Sequence, residues 1–319
     1  MLRLKNLVRR TINHSIRQVR RFLSESAETS CGNGDFAYHD LNTILMQLHE
    51  NDKGDLRPNY TWGVLQGAHL AKALNLRQIS VIEFGVAGGN GLLALESAAA
   101  KVETVFNIKI DVYGFDTGSG LPKPKDYRDL PNLWQGNAFP MDVEELSTRL
   151  NGTHLVLGDV GKTIEEFIRS KPAPIGFVSF DLDYHSSTMH ALRIFEANSE
   201  MLLPRVPCYF DDIMGFTYAE YNGERLAISD FNSSHETRKV SPIFGLKYYL
   251  PSQFAQMQWS EQFFMAHFFD HPLYERPDGL VKRFVGSGTD LKENAIIWST
   301  GTLPSAAATV EELLRPVAL

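Results

Sequence analysis

Between Ile79 and Ile213 the chain alternates short, nearly continuous apolar runs with longer amphipathic stretches. The runs "ISVIEFGV" (79–86), "KIDVYGFD" (109–116), "HLVLGDV" (154–160), "IGFVSFDLD" (175–183) and "PCYFDDI" (207–213) have the length and β-branched or aromatic content of strands. Between them lie helical periods: "GLLALESAAAKVE" (91–103), "MDVEELSTRL" (141–150), "TIEEFIRS" (163–170) and "STMHALRIFEANSEML" (187–202). Strands that are apolar on both faces and separated by helices predict a mainly parallel sheet covered on both sides, an α/β doubly wound, Rossmann-like domain. Two helical segments, 39–50 and 60–76, precede the first strand. After Asp212 the pattern predicts a helix at 223–235, late strands at 262–274 and 294–300, and a short helix at 309–316. The aromatic run "QFFMAHFFDHPLY" reads as a buried strand rather than a ligand cage, and "GERLAISDFN" as an amphipathic helix packed on the core.

The first residues stand apart. "LRLKNLVRRTINHSIRQVRRFL" (2–23) contains no acid; its apolar residues recur at helical spacing, and Lys5, Arg9, Arg10, Arg17, Arg20 and Arg21 lie mostly off that stripe. Such a helix packs on its own protein or on a second subunit, or lies on an anionic membrane surface as a peripheral contact. A cleaved organelle-type presequence is a third reading. The polar segment 24–35 reads as a linker, so the chain divides into residues 1–35 and a domain over 36–319, with a cofactor half at about 63–213 and a sheet-completing, substrate-facing part at about 214–319.

Composition narrows the class. With 43% hydrophobic and 22% charged residues and no apolar run long enough to span a bilayer, a soluble globular protein is expected. A net charge of −7 argues against nucleic acid as a partner. Only two cysteines, Cys31 and Cys208, are present, which fits a reducing cytoplasm and leaves no thiolate metal site.

Chemistry concentrates at the strand ends. The first strand runs into Gly85-Val86-Ala87-Gly88-Gly89-Asn90-Gly91, four glycines in seven residues, and then a helix. A turn alone needs one or two glycines; four indicate a ligand brought against the main chain, with the helix N-terminus behind it. The spacing is not the GxGxxG of dinucleotide folds. Glu83, two residues before Gly85, would repel a pyrophosphate but support an ammonium. Asp116 ends the second strand, where such folds bind ribose hydroxyls. It lies further from the loop than the usual distance of about 20 residues. Asp159, after the third strand, is either a ligand to the adenine end or the cap of the next helix. Asp181, Asp183, Asp211 and Asp212 end the fourth and fifth strands. Unpaired, four such carboxylates would repel one another, and a hard divalent cation relieves this.

Strand-Glu-x-Gly-x-x-Gly-Gly-x-Gly resembles motif I of the class I S-adenosylmethionine-dependent methyltransferases. Taken with "FDTGSGLP", "DLDYHSSTMHAL" and "YFDDIMG", it is similar to the metal-dependent macrocin O-methyltransferase (TylF-type) group over roughly residues 63–232. The resemblance implies a seven-stranded sheet and a cofactor held by Glu83, Gly85 to Gly91, Asp116, Thr117 and Asp159. It implies Mg²⁺ on Asp181, Asp211 and Asp212, and transfer of a methyl group to a hydroxyl of a sugar or other small polyol. Tyr184-His185 departs from that group's pattern and offers His185, beside Asp181, as a base, or else as a residue that caps the next helix or supports the site from behind; Gly118 replaces a usual aromatic, and no Pro-Gly-Gly turn precedes the fifth strand. Tyr60 and Trp62 fall where this fold often lays a helix or lid over the cofactor. The acceptor pocket is expected from residues 121–140, 216–222 and the C-terminal region. A nicotinamide-dependent oxidoreductase and a non-catalytic, methyltransferase-like scaffold remain the alternatives.

Overall fold

The structure is a computed structural model that describes residues 38–50 and 57–276. The basic segment 1–23, the linker, the strand expected at 294–300 and the helix expected at 309–316 lie outside the described residues. Helices α1 (Tyr38–Glu50) and α2 (Pro58–Ala73) lead into β1 (Gln78–Phe84), α3 (Asn90–Phe106), β2 (Lys109–Asp116), α4 (Val143–Arg149) and β3 (His154–Leu157). There follow α5 (Val160–Arg169), β4 (Ile175–Phe180), α6 (His185–Leu192), β5 (Arg205–Phe210), α7 (Gly223–Ser234), β6 (Arg238–Pro242) and β7 (Phe263–Phe268). The seven strands form one sheet in the order β3-β2-β1-β4-β5-β7-β6. The β1–β5 pairings are parallel, and β7 runs antiparallel to both neighbours. This is the doubly wound, seven-stranded arrangement expected from the strand pattern and the resemblance. The strand order reverses between β1 and β4, where open α/β sheets bind ligands.

Two local features set the site's depth. Helix α2 is buried along nearly its whole length. It lies tight on β4 because Gly63 faces the Phe177 ring and Gly67 faces the Gly176 carbonyl, with no room for a Cβ at either place. Beneath the strand ends, Phe115, Phe84, Phe180 and Phe210 stand side by side in register across β2, β1, β4 and β5. Phe180 and Phe210 stack at 4.5 Å between ring centroids, and Phe84 meets Phe115 at 4.8 Å. In three of these strands the next residue is an aspartate, so one pleat buries the ring and the following residue reaches the rim.

The structure differs from the pattern in three places. The helix expected over 187–202 begins at His185 and stops at Leu192, continuing only as short 3₁₀ turns. Arg238 of β6 takes the carbonyls of Phe195 and Ala197 at 2.7 and 2.8 Å, and Ala197 and Asn198 are extended there. β6 itself, "RKVSP", has no strand-like alternation; it is an edge strand that buries only Val240. Finally, β4 and β5 end at Phe180 and Phe210, so all four rim aspartates lie in the loops beyond.

Candidate functional site

A cleft of about 420 Å³ opens at the C-terminal ends of β1, β2, β4 and β5. Residues 85–91, Glu83, Asp116, Thr117 and Asp159, all expected at the cofactor, line it. So do Asp181, Asp183, Asp211 and Asp212. The glycines are there for separate reasons. Gly85 adopts φ +86°, and a Cβ would overlap the Asp181 carbonyl oxygen. Gly89, at φ +80°, turns the chain into α3, whose N-terminus has no side-chain cap. Nothing lies within 4 Å of the Cβ position of Gly88, which faces open space. A Cβ on Gly91 would run into Glu83 Oε1. Asp116 pins the turn from the neighbouring strand: its Oδ2 accepts from the N–H groups of Val86 and Ala87, both at 2.9 Å, and Oδ1 accepts from Gly118 at 2.7 Å. Thr117 is held by its own bond to the Gly120 carbonyl, 2.7 Å.

Under the turn lies a buried polar relay that the sequence pattern did not reveal. Tyr60 Oη, fully buried on α2, donates to Glu83 Oε1 at 2.6 Å. It accepts from Arg57 Nη1 at 3.0 Å and from Ser179 Oγ at 2.9 Å. The Arg57 guanidinium lies 5.0 Å from the centroid of the Tyr60 ring. Glu83 is 1% exposed, and its Oε2 has no hydrogen-bond partner. Burial pushes the Glu83 carboxyl up from 4.5 to about 7; the Tyr60 bond and the Arg57 charge oppose the rise. A buried acid with one bonded and one unsatisfied oxygen, beneath bare main chain, fits an ammonium-bearing cofactor such as S-adenosylmethionine.

The aspartate rim is differently arranged from the expected metal set. Asp212 is turned inward: Oδ2 accepts from the Asp183 N–H at 3.0 Å and Oδ1 from Tyr218 Oη at 3.0 Å. Asp211 Oδ1 accepts from Tyr209 Oη at 2.8 Å. Glu224, at the start of α7 and fully buried, accepts from the N–H groups of Asp212 and Leu182 at 3.1 and 3.4 Å. Among the described residues, no three His, Cys, Asp or Glu side chains are grouped to hold a metal ion. Asp181, Asp211 and Asp212, the residues the resemblance gives to Mg²⁺, all line the cleft, with Asp211 Oδ1 and both Asp212 oxygens each accepting one hydrogen bond within the protein. The crowding remains: burial first, then the neighbouring aspartates, raise the Asp183 carboxyl to about 8 and Asp181 well above the usual range. Burial, then Asp211, carry Asp212 to about 6.

His185, expected as a base, does not line the cleft. As the first residue of α6 it is buried against α7, with Nε2 2.8 Å from Asp230 Oδ2. The histidine that lines the cleft is His190, one turn further on; burial, then Lys125, lowers its pKa. Asp159 caps α5, accepting from the Gly161 N–H at 2.7 Å, and it also lines the cleft. Of the expected acceptor loops, 121–140 contributes Leu121, Pro122, Trp134 and Phe139 to the lining. Asp129 anchors this loop, taking the N–H and Oγ of Ser186 at 2.9 Å each. Residues 216–222 contribute none of the lining, although Tyr218 acts on it through Asp212. Trp62, expected near a lid, packs instead on Phe263 at 4.5 Å between centroids.

Neither a protein-family model nor a curated protein matches the sequence. Solved structures do resemble the chain. A calicheamicin methyltransferase is similar at 20% identity, over 73% of this chain and 88% of its own, with a TM-score of 0.42. The O-methyltransferase NovP is similar at 10% identity, over 80% and 98%, with a TM-score of 0.46. An O-methyltransferase from Bacillus cereus in complex with SAH is similar at 10% identity, over 79% and 98%, with a TM-score of 0.34.

Proposed function

We propose that this chain is an S-adenosylmethionine-dependent O-methyltransferase acting on a hydroxyl of a sugar or other small polyol. One observation carries the reading: a bare glycine turn over a buried acid with an unsatisfied oxygen opens into the same cleft as a rim of aspartates. When bound, S-adenosylmethionine supplies an electrophilic methyl group on a sulfonium centre. The residues that would hold it are Glu83 and the main chain of 85–91 at the methionine end, Asp116 and Thr117 at the ribose, and Asp159 at the adenine.

The chain's part in the transfer is alignment and proton handling. Alignment of two bound reactants is worth several kcal/mol in a displacement that needs in-line geometry. Residues 121–140, anchored by Asp129, wall the acceptor side with Trp134 and Phe139. Asp183 is the proton acceptor in this reading. Its backbone sits at φ +62°, a conformation an L-residue adopts at a cost, and its N–H is fixed on Asp212. The hydroxyl proton passes to the Asp183 carboxylate as the oxygen takes the methyl group; Asp181 orients the same hydroxyl.

Calorimetric titration with S-adenosylhomocysteine, followed by label transfer from methyl-labelled S-adenosylmethionine to a panel of sugars and polyols, tests the proposal. Saturable binding and a labelled methyl ether support it. Binding of a nicotinamide dinucleotide in preference to S-adenosylhomocysteine overturns it.

A further inference from the structure

The rim aspartates ride on two loops, one after β4 and one after β5, and a single segment holds both. Glu224, at the start of α7, is fully buried; its Oε1 accepts from the Leu182 N–H at 3.4 Å and its Oε2 from the Asp212 N–H at 3.1 Å. Earlier in the same segment, Tyr218 donates from Oη to Asp212 Oδ1 at 3.0 Å. Asp212 Oδ2 in turn accepts from the Asp183 N–H at 3.0 Å. Between Tyr218 and Glu224 lies Gly223, at φ +53°. A Cβ on it would stand 3.5 Å from the Asp183 carbonyl oxygen and 3.2 Å from Leu130 Cδ1 of the acceptor loop. Asn222 staples the turn that presents Tyr218, accepting from the Ala219 N–H at 2.8 Å and donating to the Thr217 carbonyl at 3.1 Å.

Asp183 needs such a hold. Its φ of +62° is left-handed, a region costly for an L-residue and kept only by the contacts around it. Its own N–H ends on Asp212, and the neighbouring Leu182 N–H ends on Glu224. Tyr218 lies outside the cleft lining, so it acts on the reacting hydroxyl through other residues and not by contact. Resting on the methyltransferase reading with Asp183 as its proton acceptor, we infer that Tyr218 and Glu224 are positioning residues of the transfer: through Asp212 and the backbone of 182–183 they hold the Asp183 carboxylate at the acceptor hydroxyl. The effect falls on the chemical step and leaves donor binding at the glycine turn untouched.

The test is a double-mutant cycle on the full chain, with kcat and KM read from label transfer to the best acceptor of the panel and S-adenosylhomocysteine affinity from calorimetry. Tyr218→Phe removes one hydroxyl and keeps the ring. It should lower kcat by about ten- to a hundredfold, the effect of a slightly misplaced reacting group, with acceptor KM and S-adenosylhomocysteine affinity within about threefold of wild type. On an Asp183→Asn background the same change should alter kcat by less than about twofold, because the group it positions is gone. Glu224→Gln keeps one acceptor oxygen and turns an amide donor on the other N–H, and it should show the same pattern. Tyr218→Phe decides alone where Glu224→Gln does not fold.

A wild-type kcat in Tyr218→Phe overturns the inference. So does a loss of the same size in the Asp183→Asn background, because the tyrosine would then act independently of Asp183. A loss of S-adenosylhomocysteine affinity equal to the loss of kcat marks a general structural role and overturns it too. A wild-type protein that transfers no methyl group, or an Asp183→Asn protein that transfers it at the wild-type rate, fails the functional reading itself, and the inference falls with it.

Discussion

Glu83→Gln isolates the energetic consequence of an acid buried beneath the glycine turn. The carboxyl is raised from 4.5 to about 7, chiefly by burial. At 1.36 kcal/mol per pH unit, that gap corresponds to about 3 kcal/mol. The sign follows from proton counting. Between the two values the folded protein holds the proton and the unfolded chain has released it, so stability falls as pH rises through this window and levels off above about 7. Asp183 and Asp212, also raised, add slopes of the same sign in both proteins. Glutamine still accepts from Tyr60 and cannot titrate, so subtracting its stability curve leaves the contribution of Glu83. Urea unfolding of ligand-free protein from about pH 5 to about pH 8 should show wild type losing about 2–3 kcal/mol relative to Glu83→Gln. Parallel curves for the two proteins would refute the argument, because they would mean that Glu83 is not protonated in the fold near neutrality. The linkage extends to the cofactor. An ammonium seated on Glu83 favours the charged form, so S-adenosylhomocysteine affinity should decline as pH falls below about 7 in wild type and remain flat in Glu83→Gln.

Other variants test the remaining parts of the site. Gly91→Ala drives a methyl group into Glu83 Oε1; it should abolish detectable S-adenosylhomocysteine binding and lower stability by about 1–3 kcal/mol, read by calorimetry and urea unfolding. Tyr60→Phe leaves Glu83 Oε1 and Ser179 without their shared partner and should cost about 1–3 kcal/mol in the same unfolding assay. In steady-state kinetics, Asp183→Asn should lower kcat by about 10²- to 10⁴-fold. His185→Ala, by contrast, removes a residue that faces Asp230 outside the cleft lining, and its kcat should stay within about threefold. The reverse order would return the base role to His185.

The site was legible in sequence wherever a requirement was local. A glycine that must turn the chain or yield to a neighbouring atom is visible as a glycine, and an aspartate at a strand end is visible from the run before it. The surroundings of His185 and Asp212 were not legible because orientation is not local. His185 stands at the first turn of α6, and its direction is set by α7, which brings Asp230 alongside. Asp212 belongs to the right rim, but each of its oxygens accepts a hydrogen bond, from the Asp183 N–H and from Tyr218, and no spacing rule announces either. Arg57 escaped for the same reason, and Tyr60 was singled out only as part of a helix or lid over the cofactor: nearly the whole length of α2 separates them from the first strand, and only the packing of α2 on β4 brings them beside Glu83.

By itself, then, the amino-acid order determined the alternation of strands and helices, the doubly wound class, the glycine turn with its acid, and the aspartates at the strand ends. Each of these follows from short-range sterics and hydrophobic periodicity. Tertiary structure decided the rest. Ser179 and Tyr60 meet across 119 residues of chain, and the edge strand β6 pairs although its own pattern predicts no strand. A carboxylate has two acceptor oxygens, and which donors reach them is settled when whole elements pack. The same packing that buries the phenylalanines across four strands thus fixes which acids face the cleft and which are spent within the protein.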